Sequence, residues 1–172
     1  MAAPTAGLHF ENELLDSITN KGINIAKVTL HIGMGTFKPI KDMSIIGHKM
    51  HKESIEVGQE AVDLITLSKK ARGRVISVGT TALRCLESIS KANGGVLKPF
   101  TGETDIFIYP GFKFTVTDAL ITNFHLPRST LLLLVSAFGG YEKIQKAYEY
   151  AIRKKYRFYS YGDSMFISPN FK

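Results

Sequence analysis

The stretch RVISVGTTALRCLESISKANGG, from Arg74 to Gly95, confines the chain to few architectures. RVISV is short, apolar and rich in β-branched residues, as a buried strand is. GTT supplies a tight turn, ALRCLESISKA has helical periodicity, and Asn93-Gly94-Gly95 supplies the stop. A strand, a turn and a helix in that order belong to an α/β layer architecture.

The flanking segments extend the pattern. Phe10, Leu14, Leu15 and Ile18 fall at helical spacing, and Asn20-Lys21-Gly22 ends that helix. INIAKVTLHI (Ile23 to Ile32) reads as a strand running into GMGTFKPI, whose glycines and Pro39 predict a loop. SIEV predicts a short strand, and Ala61, Leu64, Ile65 and Ser68 mark a helix that Gly73 ends. TDIFIYPG predicts a strand closed by a turn, and FTVTDALIT one more. In LPRSTLLLLVSAF, Ser129 is placed to cap a helix apolar on every side, hence buried. A last helix spans Tyr141 to about Lys154, and SMFIS returns as an edge strand. The expectation is one α/β domain over residues 1–172, a mixed sheet flanked by helices.

Bulk composition is compatible with this. The 172 residues are 44% hydrophobic and 22% charged, close to ordinary globular proteins and far from disordered ones. The longest strictly apolar run, Leu131 to Val135, is far shorter than a bilayer span, and no membrane association is expected. The first residues lack the basic and long apolar segments of a signal peptide, and a lone cysteine, Cys85, suits a reducing cytoplasm. A net charge of +7 leans modestly towards a polyanionic partner.

Five stretches could carry chemistry. His9, His31, His51 and His125 are candidates for proton transfer, each with the alternative of a structural hydrogen bond. His31 is expected at the carboxyl end of a strand, where open α/β sheets bind ligands. His48 and His51 lie three apart without a clear third ligand, so no metal is expected. In VGTTALR, the first-turn N–H groups with Thr80 and Thr81 can hold a carboxylate or phosphate, or the threonines can simply cap the helix. Arg84 can clamp that anion or pair with Glu87 one turn on. Glycines in HIGMGTF permit close backbone approach to a ligand, or form a bulge. Asp105 can accept hydrogen bonds from ribose hydroxyls, or cap a turn. Arg153, Lys154, Lys155 and Arg157 interleave with tyrosines, which suits phosphate contact with base stacking, or a helix C-terminus beside core aromatics.

The strings AAPTAGLHF, VTLHIGMGTFKPI, HKMH, GRVISVGTTALRCLES, TDIFIYPG, DALITNFHLPRSTLLLLVSAF and YRFYSYGD together resemble the S-adenosylmethionine:tRNA ribosyltransferase-isomerases of queuosine biosynthesis. They are ordered and spread over nearly the whole chain. In that family AAPTAGLHF lies near the middle of a chain about twice as long. The likeness is therefore to the C-terminal half, lacking the N-terminal part and most of an inserted β-barrel domain. A departure follows HKMH, where KESIEV stands in place of the family's Ser-Glu and aromatic residues.

The resemblance implies transfer and isomerisation of the ribosyl part of S-adenosylmethionine onto 7-aminomethyl-7-deazaguanine in tRNA, giving epoxyqueuosine and releasing adenine and methionine. On this reading His9, His31, His125 and His51 would move protons. Thr5, Gly7, Gly33, Gly35 and Thr36 would line the substrate. Thr80, Thr81 and Arg84 would hold an anionic group, the methionine carboxylate first, while Asp105 and Asn123 would orient ribose or base edges. Arg153, Lys154, Lys155 and Arg157 would face tRNA, and a separate N-terminal half would be the protein partner. The rival expectation is a non-catalytic tRNA-binding or vestigial fragment.

Overall fold

In the computed structural model, residues 5–31 and 50–169 are described. Their strands are β1 (Thr29–His31), β2 (Glu53–Val57), β3 (Ile76–Val78), β4 (Phe100–Thr104), β5 (Ala119–Asn123) and β6 (Ser164–Ile167). The α/β class holds, but the single mixed sheet expected from the sequence resolves into two sheets. One, ordered β1-β2-β4, is antiparallel throughout. The other, ordered β3-β5-β6, pairs β3 parallel to β5 and β6 antiparallel to it. A 3-10 turn (Thr5–His9) precedes helices α1 (Asn12–Asn20), α2 (Gln59–Lys70), α3 (Thr80–Ala92), α4 (Thr130–Gly139) and α5 (Tyr141–Arg153).

Helix α3 joins the two sheets. Leu83 packs into the core of Leu120, Leu134, Val135 and Phe138 on the mixed sheet, whereas Cys85 and Ile89 pack with Ile55, Val57, Ala61 and Val62 on the antiparallel one. Leu86 enters a third cluster with Ile65, Val75 and Val116. With apolar neighbours on so many sides, α3 also buries the charged Arg84 and Glu87, and each needs a partner. Glu87 finds it in backbone: Oε2 accepts the Thr115 N–H at 2.8 Å, and Oε1 accepts those of Val116 and Thr117 at 3.0 and 2.8 Å. Arg84 ion-pairs with Glu53 on β2, not with Glu87.

Two strand expectations need correction. In INIAKVTLHI only Thr29–His31 is a strand among the described residues, and Ile23 and Ile25 are exposed. TDIFIYPG is not a strand; the strand lies just upstream, at Phe100–Thr104. There the chain leaves β4 with Thr104 Oγ1 accepting the Ile106 N–H at 3.2 Å, and carries Ile106 and Ile108 into the core of the other sheet. Their alternation thus reports burial without ladder pairing. The predicted cap stands, since Ser129 Oγ accepts the Leu132 N–H at 3.1 Å. The predicted edge strand also stands, as β6.

Candidate functional site

The parallel strands β3 and β5 both end at one rim, and a cavity of about 290 Å³ opens there. That is where the crevice rule for α/β sheets places a ligand. The cavity opens at the ends of β3 and β5, and His31, at the end of β1, does not line it. Five segments distant in sequence wall the cavity: Thr5 and Ala6 of the 3-10 turn, Glu53 of β2, Gly79 to Thr81 with Arg84 of α3, Thr122 to Leu126 with Ser129 and Leu131 around the start of α4, and Tyr159 with Ser160.

Gly79 makes the strand-to-helix turn at φ +89°, a conformation that side chains resist, and its N–H donates to Ile121 at 2.8 Å to extend the parallel ladder. The turn delivers the first residues of α3 to the cavity. Behind them Arg84 and Glu53 form a buried pair, 3% and 2% exposed. Nε and Nη2 of Arg84 have no hydrogen-bond partner among the described residues.

Asn123 ties the walls together. Its amide Nδ2 donates to the Gly162 carbonyl at 3.2 Å and to His9 Nε2 at 3.1 Å, and its Oδ1 accepts the Thr5 hydroxyl at 3.4 Å. Both N–H groups are therefore engaged within the protein. An added Cβ at Gly162 would collide with the Arg157 carbonyl, so only glycine closes this loop behind Asn123. His125 borders the cavity half-buried, with Nε2 3.2 Å from Thr122 Oγ1 and its own N–H donated to the Tyr148 hydroxyl at 2.8 Å. Burial pushes its pKa down from 6.5 to about 4, and pushes Tyr148 up to about 12. The imidazole is neutral at pH 7. Burial likewise raises the Cys85 thiol to about 12, leaving it unreactive.

Thr5, Thr80, Thr81, Arg84, Asn123 and His125 thus meet in one cavity, and His9 is one hydrogen bond from it. His31, His51, Asp105 and Gly7 are exposed and do not line it. For His31 the cause is strand parity: it pairs with Ser54, so it shares the exposed face of β2, opposite to the face of Glu53. Asp105 follows the end of β4, where the sequence suggested a strand start. Gly33, Gly35, Thr36 and His48 lie outside the described residues. Sequence reasoning missed Glu53, Tyr159 and Ser160 as cavity residues. Glu53 had one signal, a carboxylate on the inward parity of SIEV.

The tail divides in two. Phe158 turns inward, its ring centre 5.2 Å from that of Phe124 and 5.8 Å from that of Tyr148. Tyr150, Tyr156, Tyr159 and Tyr161 remain exposed beside Arg153, Lys154, Lys155 and Arg157. Arg153 and Lys154 lie 5.5 and 6.0 Å from the centre of the Tyr150 ring. Arg157 is bound to Asp163 at 3.0 Å; hydrogen bonds from its backbone N–H and side chain hold that carboxyl below its ordinary value. Among the described residues no three His, Cys, Asp or Glu side chains gather as a metal site, and no helix is long and apolar enough to cross a membrane.

Comparison with known proteins bears on the family and the fold. The chain matches the model of the queuosine biosynthesis protein family over residues 1–167. It also superposes on the crystal structure of an S-adenosylmethionine tRNA ribosyltransferase from Thermotoga maritima with a TM-score of 0.78 and 40% identity. That match covers 94% of this chain and 51% of the other, so this chain spans about half the length of that relative. A match over almost the whole chain, to a family model and to a fold, makes this protein a member of the queuosine biosynthesis protein family.

Proposed function

We propose that this chain is the catalytic-site half of an S-adenosylmethionine-dependent tRNA ribosyltransferase-isomerase, working in the cytoplasm as one α/β unit. The reaction would move the ribosyl group of S-adenosylmethionine to the aminomethyl nitrogen of 7-aminomethyl-7-deazaguanine in tRNA, yielding epoxyqueuosine, adenine and methionine. Its main support is the cavity itself: residues from five separated segments, inside a family match over residues 1–167, converge at the rim of β3 and β5.

The chemistry asks for a base at the carbon beside the sulfonium, a proton donor for departing adenine, and a neutral amine as nucleophile. His9 is the proposed proton carrier. Asn123 donates to its Nε2, which leaves the proton on Nδ1 and orients the ring. Neutral His125, bonded to Thr122, would orient substrate or accept a proton, since its low pKa disfavours a standing imidazolium. His31 and His51 would act only after rearrangement or from the face presented to a partner. Thr80, Thr81 and Arg84 would hold the methionine carboxylate. The exposed cations and tyrosines of the tail would meet tRNA. A second polypeptide, equivalent to the unmatched half of the relative, would complete the site.

The test is adenine release. The chain, alone and with a supplied N-terminal half, is incubated with S-adenosylmethionine and tRNA carrying the aminomethyl base. Release by the combination supports the proposal. No adenine under any condition leaves a tRNA binder or a relic.

A further inference from the structure

We propose that the apolar face of α1, continued by Ile23, is a docking surface for a second polypeptide, the one equivalent to the half of the Thermotoga maritima relative that lies outside the match. The proposal rests on the reading above that such a polypeptide completes the site, and adds where it binds.

Helix α1 is nine residues long and has no side-chain cap at its start. A helix that short is marginal in water and takes its stability from packing one face against something else. The face is present: Leu14, Leu15 and Ile18 lie on one side, with Glu13 and Asp16 on the other. Yet no residue of α1 is buried, and Leu14 is 44% exposed. The turn that follows lengthens the stripe. Gly22 N–H reaches the Thr19 carbonyl at 2.8 Å and Ile23 N–H that of Ile18 at 3.3 Å, which brings Ile23 to the Ile18 end of the helix. Ile23 is 53% exposed there. A single exposed aliphatic side chain is ordinary, but a stripe of them on a helix with no other support marks a contact surface.

Charge selects the occupant. The chain is +7 overall, yet residues 11–20 carry Glu11, Glu13 and Asp16 and no lysine or arginine. Those carboxylates repel the phosphates of tRNA. A second copy docked about a two-fold axis would bring the same carboxylates face to face. A different polypeptide meets neither obstacle. The match covers 51% of the relative, which leaves about half of that longer chain to be placed around the shared fold. Position agrees with a role at the site. The 3-10 turn that sets Thr5 and Ala6 in the cavity wall and His9 against Asn123 is separated from α1 only by Phe10 and Glu11. A polypeptide seated on α1 therefore stands beside the turn that carries His9.

Co-expression of the intact chain with the unmatched half of the Thermotoga ribosyltransferase, followed by sedimentation and hydrogen exchange, tests this. A one-to-one complex is expected, in which the α1 amides exchange at least about ten-fold more slowly than in the chain alone. Leu14→Gln combined with Ile18→Gln should weaken the complex at least about ten-fold, since apolar surface buried on docking is lost. The same variant should leave tRNA binding by the chain alone unchanged. Should it fail to fold, exchange at α1 in the wild-type chain decides alone. A complex that the variant leaves intact, or that forms without protecting α1, overturns the surface and keeps the second polypeptide. No complex overturns both. A dimer of the chain that the variant dissolves, or loss of tRNA binding by the variant, gives the face to another occupant and overturns the proposal. A complex that depends on α1 yet releases no adenine keeps the surface and removes the transferase reading.

Discussion

His125 shows how placement sets the chemistry of a side chain. In the folded chain it binds its proton with a pKa of about 4, against 6.5 for the ordinary imidazole that an unfolded chain presents. Between those values the unfolded state holds more protons, so stability falls as pH drops through the window and is fully present above it. The whole effect is on the order of 3 kcal/mol. Replacing His125 by Gln should flatten the loss: urea melts at pH 7.0, 5.5 and 4.5 should show the variant losing less stability on acidification than the wild type. Parallel curves would mean that another group carries the acid sensitivity. Arg84 illustrates what the sequence hides at this scale. Its nearest acidic neighbour along the helix is Glu87, but its partner is Glu53, 31 positions upstream on strand β2. A helix exposed on one face would have made the local pairing; only a helix wedged between two sheets, as α3 is, makes the distant one.

Helix ends follow local rules and were largely legible. Gly73 N–H reaches the Ser68 carbonyl at 2.7 Å while Arg72 N–H reaches that of Lys69 at 3.0 Å, the paired closure of a Schellman turn. Sequence marked Gly73 as the stop, but the residue in the left-handed region is Arg72, at φ +59°. A non-glycine residue there pays a steric cost that glycine avoids, partly offset by the greater freedom of glycine when unfolded. Arg72→Gly should therefore raise stability by roughly 0.5–1 kcal/mol, seen as a melting temperature higher by about 1–4 °C. An unchanged or lower melting temperature would show that the turn tolerates arginine without strain. Strands were less legible than helices. Alternation in TDIFIYPG is real, but it records Ile106 and Ile108 entering the core of the mixed sheet, and whether a ladder forms depends on a partner strand that no local pattern names. The division into two sheets is invisible for the same reason.

At the level of the whole molecule, the candidate site was legible where residues cluster in sequence and obscure where they do not. VGTTALR marked the start of α3 and the Asn123 to His125 stretch marked the end of β5, whereas the contributions of Glu53, Tyr159 and Ser160 depend on how the sheets meet. Tyr159 and Ser160 line the cavity and follow the basic tail directly in sequence. The chain carries a net charge of +7, and Arg153, Lys154 and Lys155 stand exposed with Tyr161, which is 84% exposed. Arg157 is held by Asp163, so it would have to exchange that partner for a phosphate. If Arg153, Lys154 and Lys155 each displace a counterion from tRNA, binding weakens with salt by a slope of about 0.7–0.9 per contact on logarithmic axes. Changing all three to Ala should thus reduce that slope by about 2 to 3, a difference measurable by tRNA anisotropy between roughly 50 and 200 mM salt. The stability of the fold should be nearly unaffected, because surface charges at this helix end contribute little. An unaltered slope would remove Arg153, Lys154 and Lys155 from the proposed tRNA contact.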